Sequence, residues 1–173
     1  MKTLNRVIIR PPQPGDCDEF ILAVRRSRKL HGLWIQPKAT NKNAFAKYLA
    51  RFSSDRHCGF LVIHQVTKEI VGVININEII RGTFQNGSLG YYAFEPHAGK
   101  GLMREGLSLA VKHAFGKLKL HRLEANIQPD NHASIALVKK CGFVYEGLGR
   151  RLLKIRGRWR DHERWALLAE NKK

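Results

Sequence analysis

Cysteine is scarce in this chain, and so is negative charge. Of 173 residues three are cysteines, Cys17, Cys58 and Cys141, scattered along the sequence and never paired as C-x-x-C. Such an odd, dispersed set excludes an obvious disulfide framework and a zinc knuckle, and it fits a reducing compartment. The eight histidines contain no H-x-x-x-H, and none stands at ligand spacing from a cysteine, so no metal is indicated. No apolar run approaches membrane-spanning length, and the opening MKTLNRVIIRPPQPGD has no apolar signal-peptide core. The chain therefore reads as cytosolic, with no membrane partner. Repeats, low-complexity segments and dividing linkers are also missing. One domain over 1–173 is the natural reading, large enough to bury a core without staples.

Carboxylates number 14 against 31 Lys and Arg, a formal charge of +17. Residues 1–86 hold 14 basic and 6 acidic side chains, residues 87–173 hold 17 and 8, so the excess is no terminal tail. A basic surface raises encounter rates with polyanions such as nucleic acid or the ribosome. A plain solvated surface has the same composition, and charge alone names no partner. Between Arg150 and Arg164 seven Lys/Arg face Asp161 and Glu163, with Trp159 and Trp165 interleaved. Basic residues with aromatics mark nucleic-acid contact. A hairpin with two core-facing tryptophans gives the same pattern and is the favoured reading.

Strand and helix patterns alternate unevenly. Arg6–Arg10 reads as a strand stopped by Pro11-Pro12, and Asp16 and Asp18 open a helical tract through Phe20, Ile21 and Val24. His31–Pro37 is irregular, and Asn41–Arg51 is helical. Gly59–Gln65 and Ile70–Ile80, rich in Val and Ile, form a hairpin. Residues 81–87 are a loop leading to the strand Ser88–Phe94. Met103, Leu107, Ala110, Val111, Ala114 and Leu118 recur at three- and four-residue spacing, which gives one apolar helix face. His121–Ile127 is a strand, and Asp130 or Asn131 caps a helix whose Lys139-Lys140 and Gly142 suit a C-terminus. Arg151–Ile155 and Trp159–Leu168 close the chain as a hairpin. The sum is an α/β (α+β) fold, one mixed sheet with helices on both faces.

The richest stretch lies between Leu89 and Phe143. The strand Ser88–Phe94 runs into His97-Ala98-Gly99-Lys100-Gly101, which opens onto a helix. Glycines there let backbone N–H groups at a helix N-terminus converge on an anion, usually a phosphate. A dinucleotide fingerprint fails because its third glycine is Arg104, and a P-loop fails because neither Gly-Lys pair is followed by Ser or Thr. A tight strand-to-helix connection remains the bland alternative. Asn131-x-x-Ser134 then opens the next helix, which ends at Gly142-Phe143.

Taken together these residues resemble the acyl-CoA-binding signature of the GNAT N-acetyltransferases. More narrowly, Trp34 followed by Pro37, Arg81-Gly82-x-Phe84, Leu89-Gly90-Tyr91, Cys141-Gly142-Phe143 and Gly157-x-Trp159-Arg160-Asp161-His162 are similar to the branch acting on ribosomal-protein N-termini. The resemblance implies a mostly antiparallel sheet splayed between two strands, with acetyl-CoA as cofactor. It places the backbone of Tyr92, Ala93 and Phe94 against the pantetheine arm, and the amides of Gly99, Lys100, Gly101, Leu102 and Met103 against the pyrophosphate. Asn131 would bind the pantetheine or cysteamine region. One departure is Pro96, where many relatives have Gln or Arg three residues before the first glycine.

The implied reaction is attack by a neutral amine on a thioester, with an α-amine titrating near ~7.7–8.0. The candidate base is Glu95, with Glu78 second. Relatives often carry a tyrosine acid four residues after the Ser134 position, where this chain has Val138, so Ser134 is the candidate donor to the thiolate. Trp34 would line the acceptor wall. The expected acceptor is the N-terminal α-amine of a ribosomal protein, with ribosome association and a monomer or homodimer as possible states. A small amine (an aminoglycoside, polyamine or amino acid) is the alternative acceptor, and a non-catalytic ribosome- or nucleic-acid-binding module the alternative role.

Overall fold

In the computed structural model, residues 6–32 and 34–169 are described; Leu33 of the irregular segment and the first five residues of the chain lie outside them. Seven strands form one sheet in the order β1-β2-β3-β4-β5-β7-β6. They are β1 (Val7–Arg10), β2 (Cys58–His64), β3 (Ile70–Ile80), β4 (Asn86–Ala93), β5 (Arg122–Ile127), β6 (Val144–Ile155) and β7 (Arg158–Leu168). Every neighbouring pair is antiparallel except β4 with β5. That single parallel pair follows from the α4 crossover (Leu102–Gly116), because parallel neighbours need a long connection.

The alternation of β2 explains the layers. Phe60 and Val62 pack on one face with Leu107, Ala110 and Ala114 of α4 and Val138 of α5 (His132–Lys140). Leu61 and Ile63 point the other way, onto Phe20 and Val24 of α1 (Cys17–Arg26) and Phe45 and Tyr48 of α3 (Lys42–Ala50). Val138 is fully buried in this packing. Gly106 fixes the seat of α4, since a Cβ there would lie 2.8 Å from Val62 Cγ2. Among the described residues no helix is long and apolar enough to cross a membrane.

Two differences from the sequence reading concern the last hairpin. β6 begins at Val144, seven residues before the expected Arg151, because the strand runs through Gly147 and Gly149 with two shifts of register against β7. Trp165 is core-facing at 5% exposure, but Trp159 is 60% exposed near the hairpin tip. The expectation of two core-facing tryptophans is therefore corrected. Trp159 lies close to the hairpin tip, away from the buried cluster that takes in Trp165, and its indole meets solvent.

Candidate active site

The site grows from a parting of strands. β4 pairs with β5 only from Asn86↔Arg122 to Leu89↔Ala125, yet it stays paired with β3 as far as Gly72↔Ala93. Beyond Leu89 the two parallel strands therefore separate, and a cleft of about 660 Å³ opens between them. The Phe94 N–H donates to the Val71 carbonyl at 2.8 Å. Strand alternation then turns the backbone of Phe94 and Tyr92 toward β3, and that of Tyr91 and Ala93 toward the gap. This corrects the expected set: Phe94 is a fully buried core side chain with its amide in use, and Tyr91 joins Ala93 on the open edge. Tyr92 lines the cleft through its ring, which meets His31 edge-on at 5.3 Å.

The glycine turn lies at one end of the gap. Gly99 and Gly101 have φ of +75° and +78°, the left-handed region that other residues occupy only with strain. Gly101 caps α4 without a side-chain partner, so the first-turn amides of Leu102 and Met103 have no carbonyl behind them. Arg6 braces the turn from β1, donating from Nε to Glu105 Oε1 at 2.7 Å and from Nη2 to the Lys100 carbonyl at 3.2 Å. His97 anchors the other side: it is buried, lies 3.4 Å from Glu69 and stacks on His64. Arg104 and Lys140 add positive charge to the lining. Orphan amides, a helix N-terminus and two cations make a seat for phosphates.

The opposite wall is α5. Asn131 caps it, its Oδ1 accepting the Ser134 N–H at 3.2 Å, and both residues line the cleft. Ser134 Oγ is 2.6 Å from Tyr91 Oη. Burial pushes the Tyr91 phenol up to about 12, partly offset by its bond to Ser134, so it stays protonated at neutral pH.

Across the gap His31, the last residue of α2 (Arg28–His31), is 5% exposed and lines the cleft. Its Nε2 is 2.9 Å from the Ala93 carbonyl, which can only accept, so Nε2 carries the proton and Nδ1 a lone pair. Burial lowers the His31 pKa, and the bond to Ala93 offsets this in part. Trp34, half-buried, lines the cleft beside it.

The two expected bases fare differently from the cofactor residues. Glu78 does not line the cleft; its carboxylate is 59% exposed and pairs with Arg56 at 2.7 Å and His57 at 3.9 Å. Glu95 is half-buried just past the strand end, its N–H donating to Ser27 Oγ at 2.9 Å, and it also lies outside the lining. Sequence reasoning missed His31 and Tyr91 as site residues. Tyr91 carried a signal, since period-two alternation sets it beside Ala93. His31 carried none, because its place depends on how α2 packs over β4.

An opened sheet edge, a seat suited to phosphates and a hydrogen-bonded Ser134–Tyr91 pair share one cleft, an arrangement that suits a transferase with a phosphorylated carrier. The family description "Acetyltransferase (GNAT) domain" matches residues 6–144. The chain belongs to the GNAT acetyltransferases, and it is an acetyl-CoA-dependent N-acetyltransferase. It is 36% identical over 169 residues to a probable N-acetyltransferase, YjcK, of Bacillus subtilis, covering 94% of this chain and 93% of that one. Over 100 residues it is 41% identical to the [ribosomal protein uS5]-alanine N-acetyltransferase of Escherichia coli, 58% of this chain and 52% of that protein. The solved structure of Mycobacterium smegmatis RimJ in complex with CoA-disulfide superposes with a TM-score of 0.87 at 25% identity, over 96% of this chain and 83% of that one. The residues present fit acetyl-CoA: no atom lies within 4 Å of where a Gly99 Cβ would stand, and past Leu89 the edge of β4 has no strand partner on the β5 side, with only the Ala93 carbonyl engaged, by His31.

Proposed function

We propose that this enzyme acetylates the N-terminal α-amine of a protein, foremost a ribosomal protein, in the cytoplasm and by direct attack in a ternary complex. One observation carries the reading: among the described residues, no Asp or Glu lines the cleft. A polyamine or aminoglycoside brings several positive charges, and burying them without counter-charges is costly. A single α-amine flanked by a small side chain, entering in its neutral form, needs none. The relatives that act on ribosomal-protein alanine agree with this choice of acceptor.

When bound, acetyl-CoA supplies the activated acetyl group. The amides of Gly99, Lys100, Gly101, Leu102 and Met103 would hold its pyrophosphate, the open backbone edge at Ala93 and Tyr91 its arm, and Asn131 the far end of that arm. His31, neutral at neutral pH, takes the proton of the amine on Nδ1 while its Nε2–H stays on Ala93. Its place in the cleft favours it over Glu95 as base. The Ser134 hydroxyl donates a hydrogen bond to the departing thiolate and keeps its proton, with the protonated Tyr91 phenol bonded behind it; solvent, to which His31 returns its own proton, supplies the thiolate's. This pair fills the role vacated where Val138 stands in the core. Trp34 forms the wall against the acceptor side chain.

The test is acetyl-CoA-dependent thiol release with peptides beginning Ala, Ser or Met, beside spermidine and an aminoglycoside. Turnover on the Ala or Ser peptides and not on the polycations is the expected result. Turnover confined to the polycations would overturn it.

A further inference from the structure

We propose that the β6–β7 ribbon binds single-stranded RNA, over a surface that adjoins the mouth of the acetyl-transfer cleft, whatever the acceptor's identity. Arg150, Arg151, Lys154, Arg158, Arg160 and Arg164 are all exposed, and among the described residues none of them forms an ion pair. The two acids interspersed with them are occupied elsewhere. Asp161 accepts the Arg151 backbone N–H at 2.7 Å, and Glu163 accepts the Trp165 indole N–H at 2.9 Å. Both carboxylates keep their charge in these bonds, and the seven Lys and Arg between Arg150 and Arg164 still leave the segment a net +5 over its two acids.

The register adds a stacking platform. Trp159, 60% exposed, stands opposite Lys154, so one face offers a bare indole with an ammonium beside it. Arg158 and Arg160 alternate onto the other face, opposite Ile155 and Leu153, which line the mouth of the cleft. Arg156 donates to the Gly32 carbonyl and pins the hairpin tip to the segment after α2. Cations along a held ribbon with an exposed aromatic are what single-stranded nucleic acid recognises: phosphates pair with the cations while a base stacks on the ring. A membrane surface would be met by cations on one face with apolar anchors on that face. Here the cations lie on both faces of the ribbon, which suits a strand wrapping it.

The experiment uses the full chain and a fluorescein-labelled 20-nucleotide single-stranded RNA of mixed sequence, read by anisotropy across a salt series. Binding that weakens steeply with salt is expected, with a slope of about −3 if about four phosphates are contacted. Trp159→Leu should weaken binding about tenfold, and the double change Arg158→Ala with Arg160→Ala should flatten the salt slope by about 1.4. Both variants should keep the wild-type Tm, which shows that they fold. Three results would overturn the proposal: no RNA binding at low salt, RNA binding unchanged in both variants, or preferential binding to vesicles containing anionic phospholipid.

Discussion

Replacing His31 with glutamine separates the two things this residue does. The glutamine amide has the reach to donate to the Ala93 carbonyl, so the strand edge is kept, but it has no lone pair to accept the amine's proton near neutral pH. A positioned general base contributes roughly 10²–10⁴ in rate. At the lower end the loss is about 100-fold in kcat, equivalent to about 2.7 kcal/mol of barrier. Acetyl-CoA affinity should change little, because the glycine turn is built from other elements.

The pH profile is the sharper readout. Burial sets the folded pKa of His31 below the ordinary 6.5. The wild-type rate should therefore fall on an acid limb below about 6.5, as His31 gains a proton and can no longer accept one. Above that limb the rate should climb further as the acceptor amine deprotonates near about 7.7–8.0. In His31→Gln only the upper limb should survive. Thiol release measured from pH 5 to 9 on an Ala-initial peptide checks this. A variant with wild-type kcat and an unmoved acid limb would refute the reasoning, above all if Glu95→Gln removed that limb.

Further outcomes follow from the same geometry. Tyr91→Phe should lower kcat roughly tenfold with the KM for acetyl-CoA unchanged, and Ser134→Ala should lower it at least as far; steady-state kinetics on both separate stabilisation of the departing thiolate from a binding contact. Gly101→Ala places a residue at φ +78° with its methyl 3.3 Å from Arg6 Nη2. It should cost about 1–2 kcal/mol of stability and raise the KM for acetyl-CoA, seen as a lower Tm and weaker stabilisation by the ligand. Acid should destabilise the fold in a defined window, because burial lowers the pKa of His31, His97 and His113 below 6.5. Between those folded values and 6.5 the unfolded chain holds more protons, so the stabilisation is complete above about 6.5 and is lost as pH falls. Urea midpoints at pH 7.5 and 5.5 measure it, and equal midpoints would count against it.

Where local pattern decided structure, the sequence was readable. The Val- and Ile-rich Ile70–Ile80 is β3 to the residue, and the apolar spacing after Gly101 is α4. Asn131 caps α5 through its side chain, as a short acceptor at that position should. The start of β6 was not readable, since Gly147 and Gly149 signal a loop to any local rule while the sheet carries the strand through them by slipping register. The exposure of Trp159 was hidden for a related reason. Period-two alternation puts Trp159 and Trp165 on the same face, but only the tertiary arrangement tells how far along that face the core extends.

The site divides along the same line. Its cofactor half is backbone chemistry, made of a positive-φ turn, orphan amides and an opened strand edge, and backbone chemistry leaves glycines and a cap in the sequence. The half proposed to move protons is assembled from residues 62 and 43 positions apart, His31 with Ala93 and Tyr91 with Ser134, joined only by packing. Of the two glutamates expected as bases, Glu78 pairs with Arg56 in solvent, and Glu95 stands just past the strand end, outside the cleft lining. Among the described residues the cleft lining has no carboxylate, and an imidazole is the kind of side chain whose protonation changes close to the pH at which an α-amine becomes a nucleophile. Of the buried imidazoles His31, His97 and His162 in the lining, His31 is the one bonded to the Ala93 carbonyl at the parted strand edge. The lack of carboxylates that carries the proposed choice of a single neutral amine also carries the proposal of a histidine base, so the two proposals stand or fall on one property of the lining.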